Sequence, residues 1–195
     1  ANTYSEIILA LPGDSLKAHL ATVQTVMNAG FTNIYLFQLM LLPGTDMATE
    51  ESKKKFDMVT RFRVLPRCYG YYTVFDETVI SAEIEEICVA NSTLSFADYL
   101  LARRFHLVVT IFHNDGVFAS LLKLLRSLNI PVFRWMEILA ETSLPDGLQP
   151  LFDSFLKATD TELWNDRGEL ERFAHQPEVI DKFVSGELGN NLLFV

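Results

Sequence analysis

Charged side chains recur at alternate positions in two segments of the chain. Arg61 and Arg63 are two residues apart with Arg67 close by, and Glu83 and Glu85 repeat that spacing. Alternate residues of a β-strand point to the same face, so each pair is expected to share a strand face. Arginine binds carboxylates and phosphates in a bidentate manner, and these residues could therefore bind a substrate. The alternative is a set of cross-strand ion pairs on a solvated face.

Two Leu-Pro-Gly sequences mark a second kind of candidate site. Leu11-Pro12-Gly13-Asp14 and Leu42-Pro43-Gly44-Thr45 each follow an apolar segment. Where a strand enters a helix through such a turn, the free N–H groups of the helix start can bind an anion or a polar ligand edge. Pro and Gly also form tight turns for purely structural reasons. Two turns at matching places, at the carboxyl ends of parallel strands, favour ligand binding as strongly as the structural alternative.

The histidines do not predict a metal site. His106 and His113 are seven residues apart and could share one helix face, but zinc needs three or four converging ligands and no HExxH motif occurs. The periodicity places His19 and His175 on helix surfaces. The chain also lacks GxSxG, a Walker loop and GxGxxG, so no catalytic residue is assigned.

The first elements that must position these residues form a β-α-β unit. Tyr4 to Leu11 and Phe31 to Leu42 are apolar segments typical of strands buried on both faces. Between them Leu16, Leu20, Val23 and Met27 follow a helical period, with Asp14 or Ser15 as the N-cap and Gly30 at the end. A helical crossover makes the two strands parallel. Gln38 is a lone polar side chain within the second strand; it could reach a ligand, although a backbone partner is expected.

The remaining segments change from α/β to helical character. Glu50 to Lys55 predicts a short solvated helix, Arg61 to Tyr72 and Ile80 to Val89 predict strands, and Ser95 with Asp98 predicts a capping box. Leu107 to Phe112 fits a helix or a strand. The rest predicts four or five helices, with Pro131, Pro150 and Pro177 at first helical positions.

Composition excludes several classes of protein. A chain of 195 residues with 49% apolar positions has room for a sizeable core, and its net charge of −9 disfavours nucleic-acid binding. Ala18 to Thr45 lacks charges, but its periodicity changes midway, so no membrane span is expected. Cys68 and Cys88 alone agree with a reducing compartment, and we expect a cytoplasmic protein.

The two strand-and-turn segments carry a resemblance to a known family. Residues 6–14, from Glu6 to Asp14, followed by a helix and then Tyr35 to Thr45, resemble the fifth and sixth strands of a radical S-adenosylmethionine barrel. Thr60 to Arg67 and Glu83 to Ile87 resemble the C-terminal region of its cobalamin-binding branch. The resemblance implies a partial (β/α) TIM-type barrel with parallel strands in residues 1–92 and a mainly helical extension in residues 93–195.

The resemblance also implies cofactors for a larger parent protein. In this family the fifth strand lies against the adenosine of S-adenosylmethionine, so Ile8, Ala10 and Leu11 become candidate contacts, with Gln38 beside them; many members have Gly at the position of Ala10 and Glu at that of Asp14. The family binds a [4Fe–4S] cluster through CxxxCxxC, which this chain lacks, and cobalamin is a possible further cofactor. The substrate, a small molecule, is not indicated.

We therefore expect the C-terminal fragment of a radical S-adenosylmethionine enzyme, inactive alone and binding no cofactor tightly. The first strand begins within a few residues of Ala1 and the chain ends on apolar Leu192 to Val195, as if an N-terminal part of the same polypeptide were missing. An unpaired edge of the first strand, or the apolar end, should then cause self-association. The alternative is a non-catalytic α/β binding or interaction module.

Overall fold

The computed structural model describes residues 3–189 and residue 191, and it has a mixed α/β architecture. About 48% of the chain is helical and 24% is in strands. Strand β1 (Tyr4–Leu9), helix α1 (Leu16–Asn28) and strand β2 (Asn33–Gln38) follow one another, and β1 and β2 pair in parallel. The predicted β-α-β unit is therefore confirmed.

A serine before α1 and a glycine after it set the bounds of this helix. The Ser15 hydroxyl accepts a hydrogen bond from the Ala18 N–H at 3.2 Å, so Ser15 is the N-cap. Ala29 occupies the C-cap, and Gly30 follows with a φ of +86°, a conformation that glycine adopts without strain. The helix thus ends where the sequence predicts, and the chain returns to begin β2.

The next two strands form a long antiparallel hairpin. Strands β3 (Val59–Val74) and β4 (Glu77–Ala90) are joined by Phe75 and Asp76, which both have positive φ, as a tight hairpin turn requires. The register shifts between Val64 and Tyr69, so Pro66 lies in a bulge of β3. No barrel is present in the described residues: only β1 and β2 correspond to the parallel strands expected for residues 1–92.

A short extension of β2 connects the two strand pairs. The Leu41 N–H donates to the Glu86 carbonyl at 2.8 Å, and the Cys88 N–H donates to the Leu39 carbonyl at 2.9 Å. The end of β2 therefore lies between β1 and β4, and the hairpin is fixed beside the carboxyl end of the parallel pair.

Helices supply most of the remaining structure. Helix α2 (Glu50–Lys55) matches the predicted solvated helix, and α3 (Phe96–Phe112) begins with the predicted capping box of Ser95 and Asp98. Leu107 to Phe112 belongs to α3, so its strand alternative was wrong. The described part of the chain continues with five helices, as the upper expectation had it: α4 (Ala119–Ser127), α5 (Val132–Glu141), α6 (Gln149–Thr161), α7 (Arg167–Ala174) and α8 (Pro177–Val184).

The prolines confirm one of three expected first helical positions. Pro177 is the first residue of α8, whereas Pro150 is the second residue of α6; both lie in a first turn, where the missing N–H costs no helical hydrogen bond. Pro131 instead is the N-cap of α5, with an extended ψ of 116°, so its placement at the first helical position was wrong.

Helices α1 and α3 cover one face of the parallel pair. Ile7 and Ile34 from the strands belong to one buried apolar cluster with Val23 of α1 and Phe105 of α3, and this cluster contains residues from both sides of the expected boundary at residue 92. The opposite face is only partly covered. We call it the open sheet face, defined by Tyr4, Ile8, Tyr35 and Phe37, whose exposed fractions range from 42% to 64%.

The outer edge of β1 pairs with no strand in the part of the chain that is described. Self-association through this edge stays a prediction, and its alternative contact, Leu192 to Val195, lies outside the described residues. Within residues 3–189 and 191 no single helix is long and apolar enough to cross a membrane; one bent pair, Phe96–Gly116 with Ala119–Ser127, reaches that length and composition with a 95° bend.

Candidate functional site

The two Leu-Pro-Gly sequences form the same backbone turn at the same edge of the sheet. In the first, the Asp14 N–H donates to the Leu11 carbonyl at 2.9 Å; in the second, the Thr45 N–H donates to the Leu42 carbonyl at 3.2 Å. Gly13 and the second turn's glycine have φ values of +83° and +84°, as the third residue of a type II turn requires. Both turns follow the carboxyl ends of parallel strands, where α/β proteins bind ligands.

The loop after β4 holds the first turn in place. The Asn91 side-chain amide donates to the carbonyls of Ala10 and Leu11 at 3.1 and 3.2 Å, and the Thr93 hydroxyl donates to the Asp14 carbonyl. Asn91 is itself fixed, because its Oδ1 accepts hydrogen bonds from the N–H groups of Thr93 and Leu94. A polar loop about 80 residues away in sequence thus determines the position of the first turn.

The candidate cofactor contacts on and just after β1 differ in how much of their side chains is exposed. Ile8 and Leu11 are 42% and 40% exposed, and Ile8 lies beside Phe37 on the open sheet face. Ala10 is fully buried and has a φ of +71°, which is strained for a residue with a Cβ. Ile8 and Leu11 therefore offer apolar surface to a ligand, whereas Ala10 contributes to the shape of the backbone.

Gln38 lies on the other face of the sheet from Ile8. It is the register partner of buried Leu9, and its Oε1 accepts a hydrogen bond from Arg63 Nη2 at 3.0 Å. The expectation of a backbone partner for this amide was therefore wrong. The structure separates Gln38 from the other candidate cofactor contacts and joins it to the charged residues of the hairpin.

Those charged residues form a buried cluster, which we call the Arg63 cluster: Gln38, Arg63, Glu85 and Glu162. Arg63 and Glu85 are register partners, Nε donates to Glu85 Oε1, and Nη1 donates to Glu162 Oε1 at 3.2 Å. Arg63 and Glu85 are 3% and 6% exposed, so this pair does not lie on a solvated face as expected. Burial raises the pKa of Glu162 against the opposing effect of Arg63.

The other predicted substrate-binding residues do not join this cluster. Arg61 is half-buried and donates to the Thr60 carbonyl at 2.9 Å. Arg67 is exposed in the β3 bulge with a φ of +66°, and Glu83 is exposed on β4. The three arginines therefore do not converge on one anion, because the bulge removes Arg67 from the ladder and Glu85 already neutralises Arg63.

A second arginine is buried behind the Arg63 cluster on α3. Arg103 is fully buried, its guanidinium lies 5.4 Å from the Phe155 ring centre, and burial lowers its pKa to about 10. Burial also raises the pKa of Tyr99, one helical turn earlier. Arg103 therefore places a guanidinium, and Tyr99 a hydroxyl, in the interface between α3 and the sheet.

A second buried polar group lies beneath the first turn. His19 of α1 is 1% exposed, which corrects the expectation of a surface histidine: its ring faces α3, where it meets His106 with the two Nε2 atoms 2.8 Å apart. His19 Nδ1 lies 3.4 Å from Asp14 Oδ2. Burial lowers the pKa of His19 against the opposing effect of the Asp14 carboxylate, and it lowers the pKa of His106 further.

The second turn borders an open cavity of about 720 Å³. The cavity lies between the end of β2, residues 82–86 of β4 and the first half of α7. Its lining combines apolar side chains with five carboxylates and one arginine: Asp46, Glu83, Glu85, Glu86, Glu171 and Arg167. Two of these carboxylates, Glu85 and Glu86, are paired with Arg63 and Lys53. The charge around the cavity is thus predominantly negative, and none of Arg61, Arg63 and Arg67 lines it.

The described residues contain no group of three or more His, Cys, Asp or Glu side chains that could hold a metal ion. Cys88 is buried, and burial raises its pKa to about 11, which disfavours the thiolate that a metal requires. Cys68 is partly exposed in the bulge of β3. The residues present therefore do not fit an iron–sulfur cluster.

Sequence patterns did not identify the polar residues around the first turn: Asn91 and Thr93, which bond to its backbone, and His19 and His106, which lie beneath it. For Asn91 and Thr93 the Asn-Ser-Thr sequence indicates only a loop. For His19 a signal was present, because it lies three residues after Leu16 and four before Val23, on the apolar stripe. Its burial was therefore open to prediction, but its partner on α3 was not.

No protein-family model matches the chain, and none of the curated proteins matches it. Function is therefore inferred from the geometry of the two turns and their surroundings.

Proposed function

We propose that this chain is the C-terminal part of a radical S-adenosylmethionine enzyme, in which the first turn supplies part of the cofactor-binding surface and the cavity beside the second turn supplies the substrate side. The observation that carries the proposal is the pairing of two type II Leu-Pro-Gly turns at one edge of a parallel β-α-β unit. Exposed apolar side chains of Ile8 and Leu11 adjoin the first of them.

The backbone at Ala10 supports the same proposal. Its φ of +71° is a conformation that glycine adopts freely, and many members of the family have glycine at this position. A backbone conformation inherited with the turn explains why a strained alanine is found there. Ile8, Leu11 and the N–H groups at the start of α1 would hold the adenosine part of S-adenosylmethionine. When bound and reduced by a cluster, S-adenosylmethionine would supply the radical chemistry.

The two cysteines of this chain do not fit that cluster. In the proposal, the cysteine ligands come from another part of the parent polypeptide. We assign no catalytic residue and no reaction step to residues 3–189 and 191. We also propose that the parent uses cobalamin, which the resemblance supports. Its proposed cytoplasmic location is supported by the two free cysteines.

The substrate side of the proposal takes its chemistry from the cavity. Carboxylates predominate around it, while Arg63 is neutralised by Glu85 and Glu162. A substrate bound there would meet hydrogen-bond acceptors and apolar surface. The cavity therefore does not support an anionic substrate held by the arginines of β3.

Methyl NMR tests the cofactor part of the proposal. Titration of the chain with S-adenosylhomocysteine, a stable analogue without the reactive methyl, should shift the methyl signals of Ile8 and Leu11 and leave those of Val74 and Val79 on the hairpin unchanged. Binding should be weak, because only one side of the surface is present. Ile8→Glu should abolish the shifts, whereas Val79→Glu, an equally exposed control, should not. Absence of shifts at Ile8 and Leu11 at millimolar ligand would contradict the proposal.

A further inference from the structure

We propose that His19 and His106 are positioning residues for the first turn: with Asp14 they form a buried chain of proton-sharing contacts that fixes the turn near neutral pH and releases it when both imidazoles are protonated. The proposal concerns the turn itself and needs no cofactor. Only its consequence for ligand binding rests on the proposed function.

The chain of contacts runs from the ligand side of the sheet into the core. Asp14 is the last residue of the first turn, and its Oδ1 also accepts a hydrogen bond from the Ser15 N–H at 2.9 Å. Its Oδ2 lies 3.4 Å from His19 Nδ1, and His19 Nε2 lies 2.8 Å from His106 Nε2. The exposed fractions of the two histidines are 1% and 0%, so water cannot replace the contact between them.

The geometry restricts where the protons lie. The acceptor Asp14 favours a proton on His19 Nδ1, which leaves Nε2 of a neutral His19 as an acceptor. His106 must then donate from its own Nε2, because a contact of 2.8 Å between two nitrogens requires one donor and one acceptor. The contact between the neutral rings therefore has one arrangement compatible with the Asp14 acceptor, and in it His106 Nδ1 is a buried acceptor without a hydrogen-bond partner among the described residues.

A first additional proton is tolerated, but a second is not. A singly charged pair keeps the Nε2–Nε2 hydrogen bond, since one imidazole still accepts, and Asp14 offsets the charge. With both imidazoles protonated, two N–H donors face each other and the hydrogen bond is lost. The ionisable groups acting on the pair are Asp14 from the turn and Arg103 from α3, and Arg103 adds a further positive charge. Repulsion then separates α1 from α3.

The pH dependence follows from this proton count. Both histidines bind protons less readily in the folded chain than in the unfolded chain, so the stability they support is present above the ordinary histidine pKa of about 6.5 and is lost as the pH falls below it. His113 is also buried with a lowered pKa, and it contributes a separate part of the same pH dependence. Loosening specific to the pair should appear first at the start of α1.

The test compares His106→Gln with His175→Gln. In His106→Gln, the introduced side-chain amide can still donate to His19 Nε2 but cannot be protonated. His175→Gln is the control, because His175 is a partly exposed histidine at the end of α7. Urea unfolding at pH 7.5 and 5.5 gives the stability change, and amide hydrogen exchange at Ala18 and His19 reports on the first turn. Long-range 15N spectra of the imidazoles report the tautomers directly.

We expect wild type and His175→Gln to lose stability and exchange protection together at pH 5.5. His106→Gln should keep its protection at the start of α1 and retain only the part of the pH dependence that His19 and His113 cause, so its urea midpoint should fall less than that of wild type. His106→Leu, which removes the donor, should exchange faster at Ala18 and His19 even at pH 7.5, and comparison with His106→Gln then shows rescue. If the leucine variant does not fold, the tautomer spectra of wild type decide.

An unchanged pH dependence in His106→Gln would overturn the proposal, as would spectra showing the Nε2 tautomer for His19 at pH 7.5. Neither result depends on a bound cofactor. A failure here is therefore distinguishable from a failure to bind S-adenosylhomocysteine.

Discussion

The two Leu-Pro-Gly turns have the same backbone geometry, but different buried polar groups support them. Behind the first turn lie His19 and His106, two buried imidazoles linked to Asp14 of the turn, and burial lowers the pKa of both. Near the second turn lies the Arg63 cluster, which begins at Gln38, the last residue of β2, contributes Glu85 to the cavity beside that turn, and joins one arginine to two glutamates. One sequence motif thus has two electrostatic environments.

This difference shows that the turns themselves do not determine what the two sites can do. Each turn needs only Pro and Gly in the right order, which the sequence contains twice. The groups beneath them come from distant elements: α3 supplies His106, β3 and β4 supply Arg63 and Glu85, and the end of α6 supplies Glu162. The first group is a pair of imidazoles whose pKa values burial lowers, whereas the second is an arginine paired with two glutamates.

The largest effect is expected in the Arg63 cluster. Arg63→Ala leaves the buried carboxylate of Glu85 and the half-buried carboxylate of Glu162 without their shared partner, and breaking a buried ion pair in this way costs about 3–5 kcal/mol. The free energy of unfolding, measured by urea denaturation at pH 7.5, checks this value. Arg61→Ala is the matched control, since Arg61 is half-buried and donates only to a neighbouring carbonyl; it should cost about 0.5 kcal/mol or less.

A cost below about 1 kcal/mol for Arg63→Ala would show that water reaches the cluster, because that range belongs to exposed ion pairs. The contrast between a buried ion-paired cluster near the second turn and a buried histidine pair beneath the first would then fail. A double-mutant cycle with Glu85→Gln should show coupling well above the range for exposed cross-strand pairs, about 0.2–1 kcal/mol.

A smaller effect is expected at the loop that holds the first turn. Asn91→Ala removes two hydrogen bonds to the Ala10 and Leu11 carbonyls and two more from the loop, and it should destabilise the chain by about 1–3 kcal/mol. Thr45→Val is the control in the second turn: it removes one exposed hydrogen bond to the Leu42 carbonyl and should cost about 0.5 kcal/mol or less.

The same variants should differ in hydrogen exchange. Asn91→Ala should speed exchange at the Asp14 amide, whereas Thr45→Val should leave its own turn protected. Equal, small effects from the two substitutions would mean that the first turn is as independent of the rest of the molecule as the second.

Local sequence patterns predicted the elements well and the sites poorly, for a physical reason. The helix α1, both parallel strands, the capping box of α3 and both turns depend on residues near one another in sequence. The hairpin β3–β4 was predicted as two strands, but its antiparallel pairing depends on the turn at Phe75 and Asp76, which carries no Asn-Gly or Asp-Gly signal.

The buried polar contacts were beyond such patterns because each joins distant segments. Arg63 and Glu85 are 22 residues apart, Arg63 and Glu162 are 99 apart, and His19 and His106 are 87 apart. Charge spacing predicted that Arg63 and Glu85 could face each other across strands, and it was right about the pairing. It could not show that Glu162 at the end of α6 contacts Arg63 or that the pair is buried, and so it predicted a solvated face.

The smallest expected effect concerns the one backbone difference between the turns. Ala10 and Leu41 both lie two residues before the proline, yet only Ala10 has positive φ. Ala10→Gly relieves strain of about 1–2 kcal/mol, but it also adds about 0.4–1 kcal/mol of unfolded-state entropy and removes a buried methyl worth about 0.8 kcal/mol. These contributions nearly cancel, so the free energy of unfolding should change by about 0.5 kcal/mol or less.

Leu41→Gly, at a buried position without strain to relieve, should cost more than about 2 kcal/mol. Urea denaturation of both variants measures the difference. A loss of more than about 2 kcal/mol in Ala10→Gly as well would show that Ala10 is not strained, and the first turn would then lose the backbone feature that most closely ties it to the glycine of the resembling family.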